Sequence, residues 1–250
     1  MVVVIIDGKK YSGKEIIVDN WTGHAHKEFI HYFTDEYDGA DKLLNKKKDW
    51  YNMANTFFTS DTHFLHDEEE HIFFTADTHF SHENIIDYTN RPFKSAEHMN
   101  MELIRRWNER VKPEDTVYFL GDFNFKSNTG KGQGEPIKAK EIIKQLNGNI
   151  IFVKGNHDCK SNGIKTMLQA AVLEFGGMEV YLVHNPADCH PIYKLNLCGH
   201  VHKLWKSQKR RGYTIINVGV DVNNFYPMSV SDILDEYYKL NPKKKQTKGL

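Results

Sequence analysis

Short apolar runs that end in a polar residue recur along the chain. The clearest covers residues 116–120, TVYFL, and leads directly into Gly121 and Asp122. A β-branched and aromatic run of this length predicts a buried strand, and the glycine allows the backbone to turn sharply after it. The pattern therefore indicates a strand whose end presents the Asp122 carboxylate.

Four further apolar runs lead into polar segments in the second half of the chain. The runs cover residues 150–153, 180–183, 195–198 and 214–218, and the segments that follow them are GNHD, HNP, GHVH and GVD. Stretches with a helical pattern cover residues 95–111, 137–146 and 229–240. Strands alternate with helices, which predicts the α/β class with function at the strand ends.

One ten-residue segment occurs twice, in slightly different form, before the strand that leads to Asp122. FFTSDTHFLH at residues 57–66 and FFTADTHFSH at residues 73–82 agree at eight of ten positions. Each copy is a short apolar strand followed by Asp-x-His, and only one copy can occupy a given strand position. The sequence therefore poses a choice between Asp61 with His63 and Asp77 with His79.

The residues that follow each copy favour the second one. Ser81, the ninth residue of the second copy, is a candidate N-cap of a following helix. The first copy runs instead into the acidic residues 67–70, which indicate a solvated linker. We therefore predict that Asp77 and His79 belong to the functional site.

The chain divides into three parts. Residues 1–52 form a small N-terminal extension, with a hairpin predicted from residues 2–6 and 15–18 and a helix near residues 41–50. The histidines of the GHAH segment at residues 23–26 follow no strand and are interpreted as exposed loop residues. Residues 53–240 form the main domain, and the basic residues 241–250 form a tail.

Composition narrows the class of protein. Lys plus Arg and Asp plus Glu are equal at 33 each, so no global field attracts nucleic acid or an acidic membrane. Three scattered cysteines without CxxC spacing indicate reduced thiols. No apolar run approaches membrane-spanning length, and we expect a cytoplasmic protein that does not bind membranes. The 14 histidines stand out, because imidazole is a frequent metal ligand.

Seven residues with oxygen or nitrogen donors follow the predicted strands: Asp77, His79, Asp122, Asn156, His184, His200 and His202. Each has a structural alternative, such as a helix cap, a turn residue or a core histidine. Their joint occurrence after apolar runs instead favours a metal site. The mixture of carboxylate, amide and imidazole suits Mn, Fe or Zn better than Ca or Mg. Gly199 predicts a turn that lets His200 and His202 face different ions of a pair.

These residues lie in segments that resemble the five motifs of the calcineurin-like metallophosphoesterases. The segments are DTH at residues 77–79, GDF at 121–123, GNHD at 155–158, His184 and GHVH at 199–202. The sequence is most similar to small bacterial and bacteriophage members, over roughly residues 54–240. It departs from them in the duplicated first motif and in the N-terminal extension. The resemblance implies a four-layer α/β/β/α sandwich.

The resemblance also implies a centre of two divalent ions, with Mn²⁺ as the expected metal and Fe, Zn or Ni as alternatives. One ion would be held by Asp77, His79, Asp122 and His202, and the other by Asp122, Asn156, His184 and His200. Asp122 would bridge the pair. A hydroxide shared by the ions would attack phosphorus in line and hydrolyse a phosphodiester or phosphomonoester.

Four further residues receive roles around this centre. His157 is expected to stabilise or protonate the leaving oxygen. Asp158 either orients the His157 imidazole or caps a helix. His82 and Arg91 follow the first motif closely enough to contact substrate, where Arg91 would bind phosphate through two hydrogen bonds or would be a surface arginine.

Two alternatives to a small-molecule phosphoesterase remain open in the sequence. One is a metal-stabilised scaffold without turnover that binds a partner through residues 1–52. The other is a nucleic-acid phosphodiesterase, although no continuous basic groove or aromatic platform indicates one. The expected substrate is a phosphoester small molecule or a nucleotide.

Overall fold

The computed structural model describes residues 2–6, 9–13, 69–125, 137–158, 164 and 167–242. Its strands are β1 (Val2–Ile6), β2 (Lys9–Gly13), β3 (Ile72–Thr75), β4 (Thr116–Leu120), β5 (Asn149–Val153), β6 (Ala171–Phe175), β7 (Met178–Leu182), β8 (Leu195–Cys198), β9 (Ser207–Arg210), β10 (Tyr213–Asn217) and β11 (Met228–Ser229). Its α-helices are α1 (Asn84–Tyr88), α2 (Ala96–Arg110), α3 (Ala139–Ile143) and α4 (Val230–Leu240). Short 3-10 segments cover Glu69–His71, Pro186–Asp188 and Val220–Val222.

Two sheets bring the strand ends together. The four-stranded sheet has the order β11-β3-β4-β5, and the five-stranded sheet has the order β6-β7-β8-β10-β9. Strands β3, β4 and β5 run parallel to one another, as do β7, β8 and β10. An isolated parallel bridge from Ala76 to Gly219 joins the continuation of β3 to that of β10. The carboxyl ends of the parallel strands in both sheets therefore meet at one place.

Both faces of the four-stranded sheet are buried. One face packs with helix residues in a core cluster that includes Met99, Trp107, Val117, Phe119 and Phe152. The other face packs on the five-stranded sheet in a cluster that includes Phe74, Tyr118, Leu120, Leu182 and Leu197. Because successive strand residues point to opposite faces, burial of both faces explains the uninterrupted apolar run of β4. The helices and the two stacked sheets confirm the predicted α/β sandwich.

Helix α4 links the two sheets at their edge. It contacts β3 and β11 of one sheet and β9 and β10 of the other, and its Ile233 is fully buried. None of the helices in the described ranges has the length and apolar character needed to cross a bilayer.

The start of helix α4 gives a stability prediction. Ser229 Oγ accepts a hydrogen bond from the backbone N–H of Asp232 at 3.2 Å, and the Asp232 carboxylate accepts one from the backbone N–H of Ser229. Removing such a cap leaves an unsatisfied helix donor and costs about 1 kcal/mol. We expect Ser229→Ala to lower the free energy of unfolding in urea by that amount, whereas the exposed Ser231→Ala, inside the same helix, should leave it nearly unchanged. Equal stability of the two variants would contradict the cap.

Several local predictions need correction. The N-terminal hairpin is present, but its second strand is Lys9–Gly13 rather than residues 15–18, since only the Asp7-Gly8 pair separates the strands and such a pair favours a two-residue connection. Ser81 is not the N-cap of α1, because Glu83 holds that position. Ser81 instead donates its backbone N–H to Asn100 Oδ1 at 2.8 Å.

The first motif copy at residues 57–66, the GHAH segment at residues 23–26 and the helix near residues 41–50 lie outside the described residues. The division into residues 1–52, 53–240 and 241–250 stays a prediction, as does the cytoplasmic location.

Candidate metal centre

The seven donor residues predicted from the sequence lie together at the strand ends, in two groups. We call Asp77, His79 and His202 the first group, and Asp122, Asn156, His184 and His200 the second group. In each group the His and Asp residues offer ligand atoms that all lie within 4.8 Å of one another. His200 and His202 fall into different groups, as the turn after Gly199 predicts. The resemblance implies the same sets, except that it assigns Asp122 to both of them.

Two buried ligand atoms of the first group are left without a hydrogen bond. Asp77 Oδ2 accepts the backbone N–H of His200 at 2.8 Å. Asp77 Oδ1 and His79 Nε2 are buried and have no hydrogen-bond partner among the described residues. Unsatisfied buried polar atoms are unfavourable unless something binds them. This carboxylate and the imidazoles beside it therefore fit a divalent cation.

The second group converges on the side-chain oxygen of Asn156. Its Oδ1 atom lies 2.9 Å from His184 Nε2 and 2.8 Å from His200 Nδ1. His184 Nδ1 is 2.7 Å from the Leu120 carbonyl oxygen, to which it donates. This contact fixes the ring so that Nε2 faces the group, an arrangement common for metal-binding histidines. The donors of the second group also fit a divalent cation.

Asp122 lies between the two groups. Its Oδ2 atom is 3.4 Å from His184 Nε2 and 3.7 Å from His79 Nε2. The second of these distances joins the two groups, because His79 belongs to the first. A single carboxylate is thus placed where it can serve both groups.

Burial and charge shift the pKa values of these residues. Burial raises the pKa of Asp77 to about 6, against the opposing charges of His184 and His202. Burial also acts to lower the pKa of His184, but interactions with Asp122 and Asp77 outweigh it and raise that pKa to about 9. Burial acts to raise the pKa of Asp122, yet His184 and His79 bring it down to about 2. Positive charge nearby favours the ionised form of the buried Asp77 and Asp122 carboxyl groups. A bound divalent cation would supply such charge.

The backbone is strained where the donors lie. Positive φ angles between 46° and 71° occur at five donor residues: Asp77, His79, Asp122, His200 and His202. Such angles are uncommon outside glycine, and backbone strain of this kind clusters at functional sites. A positive φ angle lets the backbone turn sharply as it leaves a buried strand, so that the donor side chain stays near the strand end.

Two glycines leave space for the carboxylates. A Cβ atom on Gly199 would lie 2.6 Å from Asp77 Oδ2 and from Ala76 Cβ, and one on Gly155 would overlap Asp122 Oδ1. These glycines precede His200 and Asn156. Space therefore dictates the glycine in the GHVH and GNHD segments.

His157 lies at the solvent-exposed rim of the centre. Its backbone N–H donates to Asp122 Oδ1 at 2.8 Å, and its ring centroid is 5.6 Å from that of His79. The position is compatible with a proton donor that contacts bound substrate.

Asp158 contacts backbone groups of the two loops beside the centre. Its carboxylate accepts backbone N–H groups of Asp122 at 2.7 Å, Phe123 at 3.1 Å and Gly155 at 2.9 Å. Both oxygens are thus used to hold two loops together. Asp158 therefore positions the Asp122 backbone, and its predicted roles in orienting the His157 ring or capping a helix stay predictions.

His82 is close to the centre, as predicted. Its ring stacks on Phe125 with centroids 4.1 Å apart and lies 5.8 Å from the ring of His79. Contact between His82 and a substrate stays a prediction.

Arg91 is buried rather than on the surface. It is only 4% exposed, and its guanidinium donates to Asp221 and to two backbone carbonyl oxygens. The predicted phosphate contact is therefore wrong for this arrangement. Asp221 has no role among the predictions, although it follows an apolar run in the same way as the other site residues.

Comparison with known proteins agrees with this geometry. Residues 58–223 match the calcineurin-like phosphoesterase superfamily domain. An uncharacterized protein of Methanocaldococcus jannaschii is 40% identical over 194 residues, which are 73% of this chain and 91% of that protein. A crystal structure of a protein of unknown function from Aquifex aeolicus covers 66% of this chain and 98% of its own, with 28% identity and a TM-score of 0.51. The chain belongs to the calcineurin-like phosphoesterase superfamily.

Proposed function

We propose that the protein is a hydrolase that cleaves phosphodiester or phosphomonoester bonds with two divalent cations, Mn²⁺ being the expected metal. The observation that carries the proposal is the pair of donor groups with Asp122 between them. Two divalent cations carry four positive charges, of which the carboxylates of Asp77 and Asp122 balance two. The remaining positive charge would attract a phosphate group.

The donor residues would bind the two cations in two sets. Asp77, His79 and His202 would hold one, and Asn156, His184 and His200 the other, with Asp122 between them. When bound, the cations would supply a nucleophile by lowering the pKa of a water molecule and would stabilise charge on the phosphoryl oxygens. Asp158 keeps the Asp122 backbone in place through three hydrogen bonds.

His157 would act on the leaving group. Its backbone is tied to Asp122, while its exposed side chain lies beside His79 at the open side of the centre. From there the imidazole can donate a proton to the departing oxygen of the ester. His82, which lies beside the first group, would contact the substrate.

The direct test is hydrolysis of an activated ester. Metal-free protein is assayed with bis-p-nitrophenyl phosphate and with p-nitrophenyl phosphate, before and after addition of Mn²⁺. We expect turnover that requires Mn²⁺ and that stops when EDTA is added. Binding of two Mn²⁺ ions without turnover of either ester would instead support the metal-stabilised scaffold. Faster cleavage of single- or double-stranded DNA than of the small diesters would support a nucleic-acid phosphodiesterase.

Substitution of His157 separates catalysis from metal binding. Because general acid catalysis contributes roughly 10²–10⁴-fold, we expect His157→Ala to lower kcat on a poor leaving group, such as an alkyl ester, by an amount in that range. The p-nitrophenolate leaving group needs little protonation and should suffer less. Mn²⁺ binding, measured by titration calorimetry, should be unchanged.

A matched control is His98→Ala on helix α2, which lies outside both donor groups and should keep wild-type rates. Equal losses of rate for good and poor leaving groups in His157→Ala would contradict the role of a proton donor.

A further inference from the structure

A buried ion pair lies behind the first group. The Arg91 guanidinium binds Asp221 through two hydrogen bonds of 2.9 Å, from Nε to Oδ1 and from Nη2 to Oδ2. Both side chains have zero exposure. Two parallel hydrogen bonds fix the relative orientation of the partners as well as their distance. The pair is therefore a rigid unit within the protein.

Arg91 also holds the backbone of the first motif. Nη2 donates to the Asp77 carbonyl oxygen at 2.7 Å, and Nη1 donates to the Thr78 carbonyl oxygen at 2.8 Å. These carbonyls belong to the turn in which Asp77 and His79 have positive φ angles. A strained turn persists when surrounding contacts determine it, and the guanidinium supplies two such contacts.

Asp221 extends the same unit to His202. Its Oδ2 atom lies 2.8 Å from His202 Nδ1. A carboxylate accepts this hydrogen bond, so Nδ1 carries the proton and Nε2 is left as the free donor atom. A carboxylate behind a metal-binding histidine fixes the ring and makes it a stronger ligand.

The Arg91–Asp221 pair therefore holds all three residues of the first group. It holds Asp77 and His79 through the carbonyl oxygens of Asp77 and Thr78, and it holds His202 through its ring. The second group is held by different partners. His184 donates to the Leu120 carbonyl oxygen, and the Asp122 backbone is held by Asp158. These contacts of the second group do not involve the Arg91–Asp221 pair, although the hydrogen bond from the His200 N–H to Asp77 Oδ2 joins the two groups.

We propose that Arg91 and Asp221 are positioning residues that set the cation affinity of the first group alone. This inference rests on the proposed function, because it requires that both groups bind a cation. Loss of the pair leaves the second group intact and converts a protein with two strong sites into one with a strong and a weak site.

The test is Mn²⁺ binding to metal-free protein, measured by titration calorimetry. Asp221→Asn keeps the shape of the side chain and removes its charge. We expect one site to weaken by roughly 10–100-fold, as is typical when such a supporting carboxylate is changed, while the other keeps its wild-type affinity. Arg91→Lys keeps the positive charge but loses the paired geometry, and the same site should weaken. The Arg91→Lys variant provides the test if Asp221→Asn does not fold.

The control separates metal positioning from general stability. Asp232 pairs with Arg110 at 2.8 Å at the start of α4, so Asp232→Asn should destabilise the protein and leave both Mn²⁺ affinities unchanged. Wild-type affinities at both sites in the Asp221 and Arg91 variants, or equal losses at both sites, would overturn the inference. Wild-type protein that binds no Mn²⁺ would overturn the proposed function as well.

Discussion

Asp122→Asn is expected to lower kcat/KM for bis-p-nitrophenyl phosphate by about 10²–10³-fold or more, the scale of losing one electrostatic stabiliser of a transition state. The carboxylate lies 3.4 Å from His184 and 3.7 Å from His79, between the two donor groups. An amide removes the negative charge from the position where two cations would share it. Metal binding should weaken at both sites, which titration calorimetry with Mn²⁺ can measure.

The substitution is conservative for the fold. An asparagine keeps an oxygen that can accept the backbone N–H of His157, as Asp122 Oδ1 does, and the contacts from Asp158 go to backbone groups that remain. The exposed Asp235→Asn on helix α4 is the matched control and should keep wild-type activity. If Asp122→Asn kept both its rate and its Mn²⁺ affinity, the central place of Asp122 would be wrong.

Asp77→Ala and Asp61→Ala are expected to differ sharply, although their local sequences are nearly the same. The structure places Asp77 in the first group, with Oδ1 buried and without a hydrogen-bond partner in the part of the chain that is described. We expect Asp77→Ala to lose one Mn²⁺ ion and to lower kcat/KM by about 10²–10³-fold or more. Asp61→Ala should keep both ions and near-wild-type turnover.

The two motif copies act as controls for each other. Both variants remove one carboxylate from a DTHF segment, so a general effect of the substitution would appear in both. His79→Ala and His63→Ala extend the comparison to the imidazole of each copy. Loss of metal and activity in Asp61→Ala, with Asp77→Ala unaffected, would assign the working site to residues 57–66.

Much of this centre could be predicted because local sequence determines it. A buried strand such as β4 needs an apolar run, and a donor that must leave the strand at once needs a glycine or a strained residue after it. Each of these requirements is visible within ten residues of sequence. The two-residue β11 lacks such a signal because it pairs with β3, which is distant in the chain. The strand β9, Ser207–Arg210, has no apolar run and is defined by its antiparallel pairing with β10.

The role of Arg91 could not be read in the same way. Its partner Asp221 lies 130 residues further along the chain, and nothing near Arg91 distinguishes a buried guanidinium from a phosphate-binding one. Asp158 poses a similar problem, because the choice between a neighbouring ring and the backbone of a distant loop depends on tertiary packing. Local sequence patterns indicate which residues lie at the metal centre. Contacts between residues distant in the chain determine the role of each residue at that centre.

The two glycines beside the carboxylates have a consequence for protein design. A Cβ atom at Gly199 would collide with Asp77, and one at Gly155 with Asp122. Transplanting the seven donors onto another scaffold would therefore fail if the recipient had alanine at either neighbouring position. The empty volume beside each carboxylate has to be transferred together with the side chains that surround it.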